Sequence, residues 1–270
     1  MSRRAAALLI GALLTLSCAL LTARAARAAG TFDDWAAVIV AGDDRAHSGS
    51  PSEAFDNARR DVARALVDAG FPPANIRQFS ARPERYPQER LMLSDAGLIA
   101  SQLYGLASAA RGGCLVYFTS HGSPDGVLVG DRLLSPAGLS GIVDQACPGR
   151  PAVVIVSACF SGVFVPPLAR PDRMVLTAAR PDRSSFGCGE SDRYPYFDAC
   201  ILQELPQGGD FGHIGVAVQQ CVARKEVATG MAPPSEPQLF IGSRIRPLLP
   251  FYALRRAAVH ASLPGTGAAP

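Results

Sequence analysis

Along the chain, short runs of consecutive apolar residues alternate with longer stretches in which apolar positions recur every three or four residues. The first pattern suits strands buried on both faces and the second suits helices with one buried face. Their alternation from Trp35 onward predicts stacked β-α-β units around a mainly parallel sheet. Strands are predicted at 35–41, 76–79, 115–120, 153–157, 174–178 and 238–241, and helices at 52–69, 94–110, 136–145, 196–205 and 213–227. The first helix opens on Ser52 as N-cap, buries Phe55, Val62 and Leu66, and stops at Gly70. The second is capped by Ser94 and turns Leu98, Leu103 and Leu106 inward. Between the third and fourth strands, Val127-Leu128-Val129 and Arg132-Leu133-Leu134 predict a hairpin turning at Gly130-Asp131. Residues 80–90, with Arg82, Pro83, Arg85, Pro87 and Arg90, read as an exposed loop. From Gly242 onward no period is visible, and no internal repeat is found.

The first thirty residues stand apart from this pattern. Arg3 and Arg4 precede an apolar run from Ala5 to Leu21, followed by Ala23-Arg24-Ala25 and Ala26-Arg27-Ala28, two small-x-small cleavage sites. This is the layout of a secretory signal peptide, so an exported protein, periplasmic or secreted, is expected. An uncut membrane anchor is the alternative, and Cys18 with Thr15 three residues before it makes a weaker lipoprotein alternative. The expected organisation is a signal peptide at 1–29, one α/β domain at 30–245 and a tail at 246–270. A 270-residue chain that is 48% apolar can bury a substantial core in that single domain.

Charge and composition narrow the function. Losing residues 1–28 removes four arginines and no acidic residue, which takes the formal charge from +3 to −1. No clustered basic face of the kind that nucleic acid requires remains. Lys225 is the only lysine and sits among Ala223-Arg224-Lys225-Glu226, a solvated helix face, which argues against lysine-based covalent chemistry. His213 and His260 lack ligand-like spacing, and neither a zinc-peptidase helix motif, a Gly-rich phosphate loop nor a nucleophile-elbow serine is present. No metal and no cofactor are expected.

Two of the predicted buried strands end in reactive side chains. Cys114-Leu115-Val116-Tyr117-Phe118-Thr119-Ser120 runs into His121-Gly122, and Ala152-Val153-Val154-Ile155-Val156-Ser157-Ala158 runs into Cys159. Residues that follow buried parallel strands gather at one edge of the sheet, where open α/β folds place their sites. The separation of 38 residues from His121 to Cys159 suits two strand ends lying side by side after one crossover. A thiol acts as nucleophile only as thiolate, and an adjacent imidazole both promotes that form and protonates the leaving group. Gly122 leaves its amide unobstructed, so that amide and the one of Cys159 can donate to a tetrahedral oxyanion. Six cysteines remain after processing. If Cys159 stays free, at least one more is unpaired, and Cys114 is the expected one because it sits within a strand. Cys188 with Cys200 and Cys147 with Cys221 are alternative bridges.

At these residues the chain resembles the legumain family of cysteine peptidases, the asparaginyl endopeptidases, which share a fold with caspases and gingipains. The resemblance is carried by Tyr117-Phe118-Thr119-Ser120-His121-Gly122-Ser123 and by Ser157-Ala158-Cys159-Phe160-Ser161-Gly162. The opening strand from Trp35 to Gly42 and the segment from Thr177 to Ser185 add to it, so that it spans about residues 35–200. It points to a bacterial-type, exported member and implies a caspase-like three-layer α-β-α sandwich with a mainly parallel six-stranded sheet. It also implies a cysteine endopeptidase acting on a peptide or protein substrate, with His121 as general base and acid and Cys159 as nucleophile. Ser184 and Ser185 fall on the family's pocket-lining serines, and Asp198 on its pocket carboxylate. Ser157 stands where asparagine-cleaving members carry Glu, and Arg45 and His47 are the nearest counterparts of the family's Arg-His pair. A transamidase using the same Cys-His pair, and an inactive peptidase-like module that binds peptides, are the alternatives. No nucleic-acid partner is expected, and no membrane contact beyond an uncut N-terminal anchor.

Overall fold

The computed structural model describes residues 31–256, so the segment read as a signal peptide lies outside the described residues. The first strand, β1 (Trp35–Ala41), is followed by helix α1 (Ala54–Ala69), strands β2 (Ile76–Ser80) and β3 (Met92–Leu93), helix α2 (Ala96–Ala109) and strand β4 (Gly113–Thr119). A small antiparallel sheet of β5 (Gly122–Ser123), β6 (Gly126–Val129) and β7 (Arg132–Leu134) comes next. Helix α3 (Pro136–Ala146), strand β8 (Ala152–Ser157), the short helix α4 (Val165–Leu168) and strand β9 (Arg173–Thr177) follow. The described chain ends with α5 (Tyr196–Glu204), β10 (Gly209–Asp210), α6 (Phe211–Thr229), β11 (Gln238–Ile241) and β12 (Ala253–Leu254).

The main sheet has seven strands in the order β11-β9-β8-β4-β1-β2-β3, all parallel except β11, which runs antiparallel to β9. The sequence predicts six. The seventh is β3, two residues at the end of the Pro- and Arg-rich loop, where an apolar run is too short to register as a strand. Alternation along β1 sends Ala37 and Ile39 to one face and Ala36, Val38 and Val40 to the other. The first face packs under α1, α5 and α6, and the second under α2 and α3, which produces the three-layer α-β-α sandwich.

Local chemistry sets the element ends. Gly70 closes α1 at φ 119°, a backbone conformation open chiefly to glycine. Helix α2 starts one residue later than predicted, because Asp95 rather than Ser94 caps it by accepting from the Leu98 amide at 2.8 Å. Ser94 instead donates to the carbonyl of Ala41 at 2.7 Å and ties the helix entry to the end of β1. In α1 the N-cap position is Glu53, while Ser52 Oγ accepts from the Ala54 amide at 3.2 Å.

Two expectations are corrected here. Cys114 is not free: it bridges to Cys147, which follows α3, with a Cα separation of 6.4 Å, and Cys200 on α5 bridges to Cys221 on α6. The unpaired partner to Cys159 is Cys188. The expected tail also begins too early. Residues 246–251 form a short 3-10 turn, Leu249 and Leu254 are buried in the core, and β12 pairs with β10. Proline and arginine at surface positions hide that packing from a periodicity reading.

Candidate active site

Strand order reverses next to β1. The chain first builds outward through β2 and β3, then crosses back to place β4 and β8 on the other side of β1. In open α/β sheets such a reversal opens a crevice at the carboxyl ends of the strands. His121 follows β4 and Cys159 follows β8, and these strands pair in parallel with Thr119 opposite Ser157. The ladder continues one step further, with the Ser120 amide donating to the Ser157 carbonyl at 3.0 Å.

Beyond that step Gly122 packs directly on the chain leaving β8. A β-carbon there would lie 2.3 Å from the Cys159 carbonyl oxygen and 2.9 Å from the Ala158 β-carbon, so only glycine fits. Phe160, the next residue after Cys159, adopts a left-handed conformation at φ 56°, unusual for a bulky side chain. Its amide donates to the Arg183 carbonyl at 2.8 Å, which anchors this turn to the loop carrying Ser184 and Ser185. Among the described residues none accepts the Cys159 amide proton.

His121 is held from the β1 side. Its Nε2 lies 3.0 Å from the Arg45 carbonyl and 4.0 Å from Asp43 Oδ2, and Phe55 sits edge-on with ring centroids 5.1 Å apart. An Nε2–H donated to Arg45 leaves Nδ1 as the basic nitrogen of the ring. Asp43 itself accepts from the Asp44 amide at 2.7 Å and the Arg45 amide at 3.2 Å, which shapes the loop that presents the carbonyl.

Around Cys159, the Ser185 amide donates to Sγ at 3.3 Å, and Ser185 O and Oγ each lie 3.6 Å from it. His121, Gly122, Cys159, Ser184, Ser185 and His47 line one cavity of about 340 Å³, joined by Phe160, Phe186 and Cys188. Burial, with the neighbouring Cys159 and Asp192 adding to it, pushes the Cys188 thiol up to about 11. A larger groove of about 980 Å³ runs past Arg45, Arg82 and Leu133 and contains neither cysteine nor histidine. Among the described residues no group of three or more His, Cys, Asp or Glu side chains is arranged to hold a metal ion.

Three residues expected to contact substrate are placed elsewhere. Asp198 is fully buried and bonded to the hydroxyls of Tyr117, Thr119 and Ser157, so neither it nor Ser157 lines the cavity. Arg45 turns its guanidinium to the Gly49 carbonyl at 2.9 Å and meets His121 only through its backbone. A main-chain carbonyl leaves no mark on residue identity, which is why sequence reasoning misses its part in the site. Phe55, Phe160 and Cys188 are missed for another reason: each reads as ordinary core or loop until the fold brings Phe55 against the His121 ring and the other two to the cavity.

A mainly parallel α-β-α sandwich with histidine and cysteine at adjacent strand ends beside one cavity defines a protein of caspase-like fold. Residues 91–205 match the model of the Peptidase C13 family, so the legumain-type resemblance read from the motifs is shown over that segment. The crystal structure of caspase-1 from Spodoptera frugiperda superimposes with a TM-score of 0.56 at 17% identity, covering 77% of this chain and 86% of that one. At that identity the likeness speaks for the fold. No curated protein matches the chain. The family match over residues 91–205 supports cysteine peptidase activity.

Proposed function

We propose that this chain is an exported cysteine endopeptidase that hydrolyses peptide bonds through Cys159 and His121, by way of a thioester acyl-enzyme and without a cofactor. The observation that carries the reading is the meeting of the two reactive residues: they leave paired strands at the same level and line one cavity, with Gly122 pressed against the Cys159 carbonyl. His121 Nδ1 takes the thiol proton as Cys159 Sγ attacks the substrate carbonyl. The developing oxyanion accepts from the amides of Cys159 and Gly122. The imidazolium then protonates the departing amine, and water activated by the same ring resolves the thioester. The Arg45 carbonyl keeps the ring oriented throughout.

Ser184, Ser185 and His47 offer hydroxyls and an imidazole to the acyl-side residue, which suits a polar side chain in a cavity of about 340 Å³. Two disulfides support an oxidising compartment, in keeping with the signal-like N-terminal segment. The test is peptide-library hydrolysis by the purified protein and by Cys159→Ala and His121→Ala. Both substitutions are expected to abolish cleavage. Undiminished hydrolysis by Cys159→Ala refutes the assignment, and binding without turnover by the unsubstituted protein favours a peptide-binding module.

A further inference from the structure

Behind the cavity lies a polar cluster that the peptidase chemistry does not use. Asp198, in the first turn of α5, is completely buried, and its carboxylate accepts from Tyr117 Oη, from Thr119 Oγ1 at 2.8 Å and from Ser157 Oγ at 2.8 Å. Thr119 and Ser157 are register partners and the last residues of β4 and β8. Each stands two positions before a reactive residue, Thr119 before His121 and Ser157 before Cys159. One carboxylate from the covering helix therefore grips both strand ends at the level where the sheet gives out. Past Ser120 no backbone hydrogen bond among the described residues joins the two chains: one enters the β5 hairpin and the other the left-handed turn at Phe160, and the packing of Gly122 on Cys159 links them.

We propose that Asp198 is a positioning residue: by holding Thr119 and Ser157 together it fixes the spacing of His121 and Cys159, given the reading of those two as the reactive pair. Substrate does not reach it, because it does not line the cavity. The grip depends on ionisation. A carboxylate accepts all three hydroxyl donors, whereas a carboxylic acid turns one oxygen into a donor and forces at least one contact to be remade. Burial raises Asp198 to about 6, against the three hydroxyl bonds that pull it down, so the grip loosens as pH falls through that value.

The groups facing the carboxylate are few. From β4 come Tyr117 and Thr119, and burial and Asp198 hold the Tyr117 hydroxyl well above its ordinary range. From β8 comes Ser157. On α1 the buried Asp56 and Arg59 pair with each other at 2.8 Å, and on α6 Lys225 sits over the Tyr196 ring at 4.7 Å. Among the described residues no charged side chain contacts Asp198.

The test measures kcat, KM and the rate of Cys159 alkylation by iodoacetamide as a function of pH, for the unsubstituted protein, Asp198→Ala and Ser157→Ala. Asp198→Ala is expected to lower kcat at least about tenfold with KM little changed, and to slow alkylation in parallel. Ser157→Ala removes one of the bonds that lower Asp198 and is expected to move the acid limb of both profiles to higher pH. A folded Asp198→Ala protein with unchanged kcat, or one whose loss lies in KM, overturns the proposal. Should Asp198→Ala fail to fold, Ser157→Ala decides: an unmoved acid limb overturns the proposal and a shifted one supports it. Alkylation needs no peptide turnover. The positioning role and the peptidase reading can therefore fail separately.

Discussion

Replacing Gly122 by alanine tests the close approach on which the site depends. The new β-carbon would stand 2.3 Å from the Cys159 carbonyl oxygen, where β-carbons essentially never come closer than 3.0 Å, and 2.9 Å from Ala158 Cβ. Both neighbours belong to rigid parts of the chain, the end of β8 and the turn before Phe160. The His121 loop must therefore retreat by about 0.7 Å or more, since the opposing backbone cannot rotate away as a side chain would. Misplacing reacting groups by about 1 Å costs on the order of a hundredfold in rate, so kcat/KM should fall by about 10- to 100-fold. Overpacking of this kind destabilises by about 1–3 kcal/mol, within the margin of a domain this size, so the variant stays folded at 25 °C. The assay is fluorogenic peptide hydrolysis alongside thermal denaturation. Gly141→Ala serves as the control, because a β-carbon there meets nothing within 4 Å. The control should keep full activity and gain up to about 1 kcal/mol from helix propensity. A Gly122→Ala protein within about threefold of the unsubstituted kcat/KM would refute the packing argument behind this estimate.

Two further outcomes follow from the described residues. Replacing Cys200 and Cys221 together by serine opens a bridge of sequence separation 21, and loop-closure entropy puts the loss near 3 kcal/mol. Calorimetry should show Tm lower by several degrees, and an unchanged Tm contradicts a bridge at that position. Asp198 has a native value of about 6 against an ordinary 3.8, a raised acid. Its stabilising contribution is therefore complete below about pH 3.8, fades as pH rises through about 6, and amounts to about 3 kcal/mol. Asp198→Asn should flatten the stability-versus-pH curve in that window in urea titrations. A curve with the same slope as the unsubstituted protein counts against the assignment. Asp198's own contribution to stability and its hydroxyl grip run in opposite directions with pH, so the urea titrations at each pH separate a loosened grip from unfolding.

The sheet was largely legible because its inner strands are unbroken apolar runs, and a strand buried on both faces leaves that trace in any sequence. Residues 115–120 and 153–157 fall inside β4 and β8 or within one residue of them, and the hairpin at Gly130-Asp131 is where β6 turns into β7. That His121 and Cys159 come to one cavity could be read for the same reason, since strand ends mark the crevice. What escaped depends on contacts between distant segments. Strand β3 is two residues long and exists because Phe79 and Ser80 offer it an edge. The pairing of Cys114 with Cys147 requires knowing that α3 ends beside the start of β4. Asp198 resembled a pocket carboxylate by its place in the sequence, yet three hydroxyl donors draw it into the core. Arg45 looked important for its charge and meets the site through a carbonyl.

The most direct test is the intact mass of the protein, acid-quenched during turnover of a peptide substrate. The account predicts an added acyl group that maps to Cys159, is released by hydroxylamine and does not form in His121→Ala. Turnover with no acyl group on Cys159, or with the acyl group on Cys188 or Ser185 instead, would contradict it.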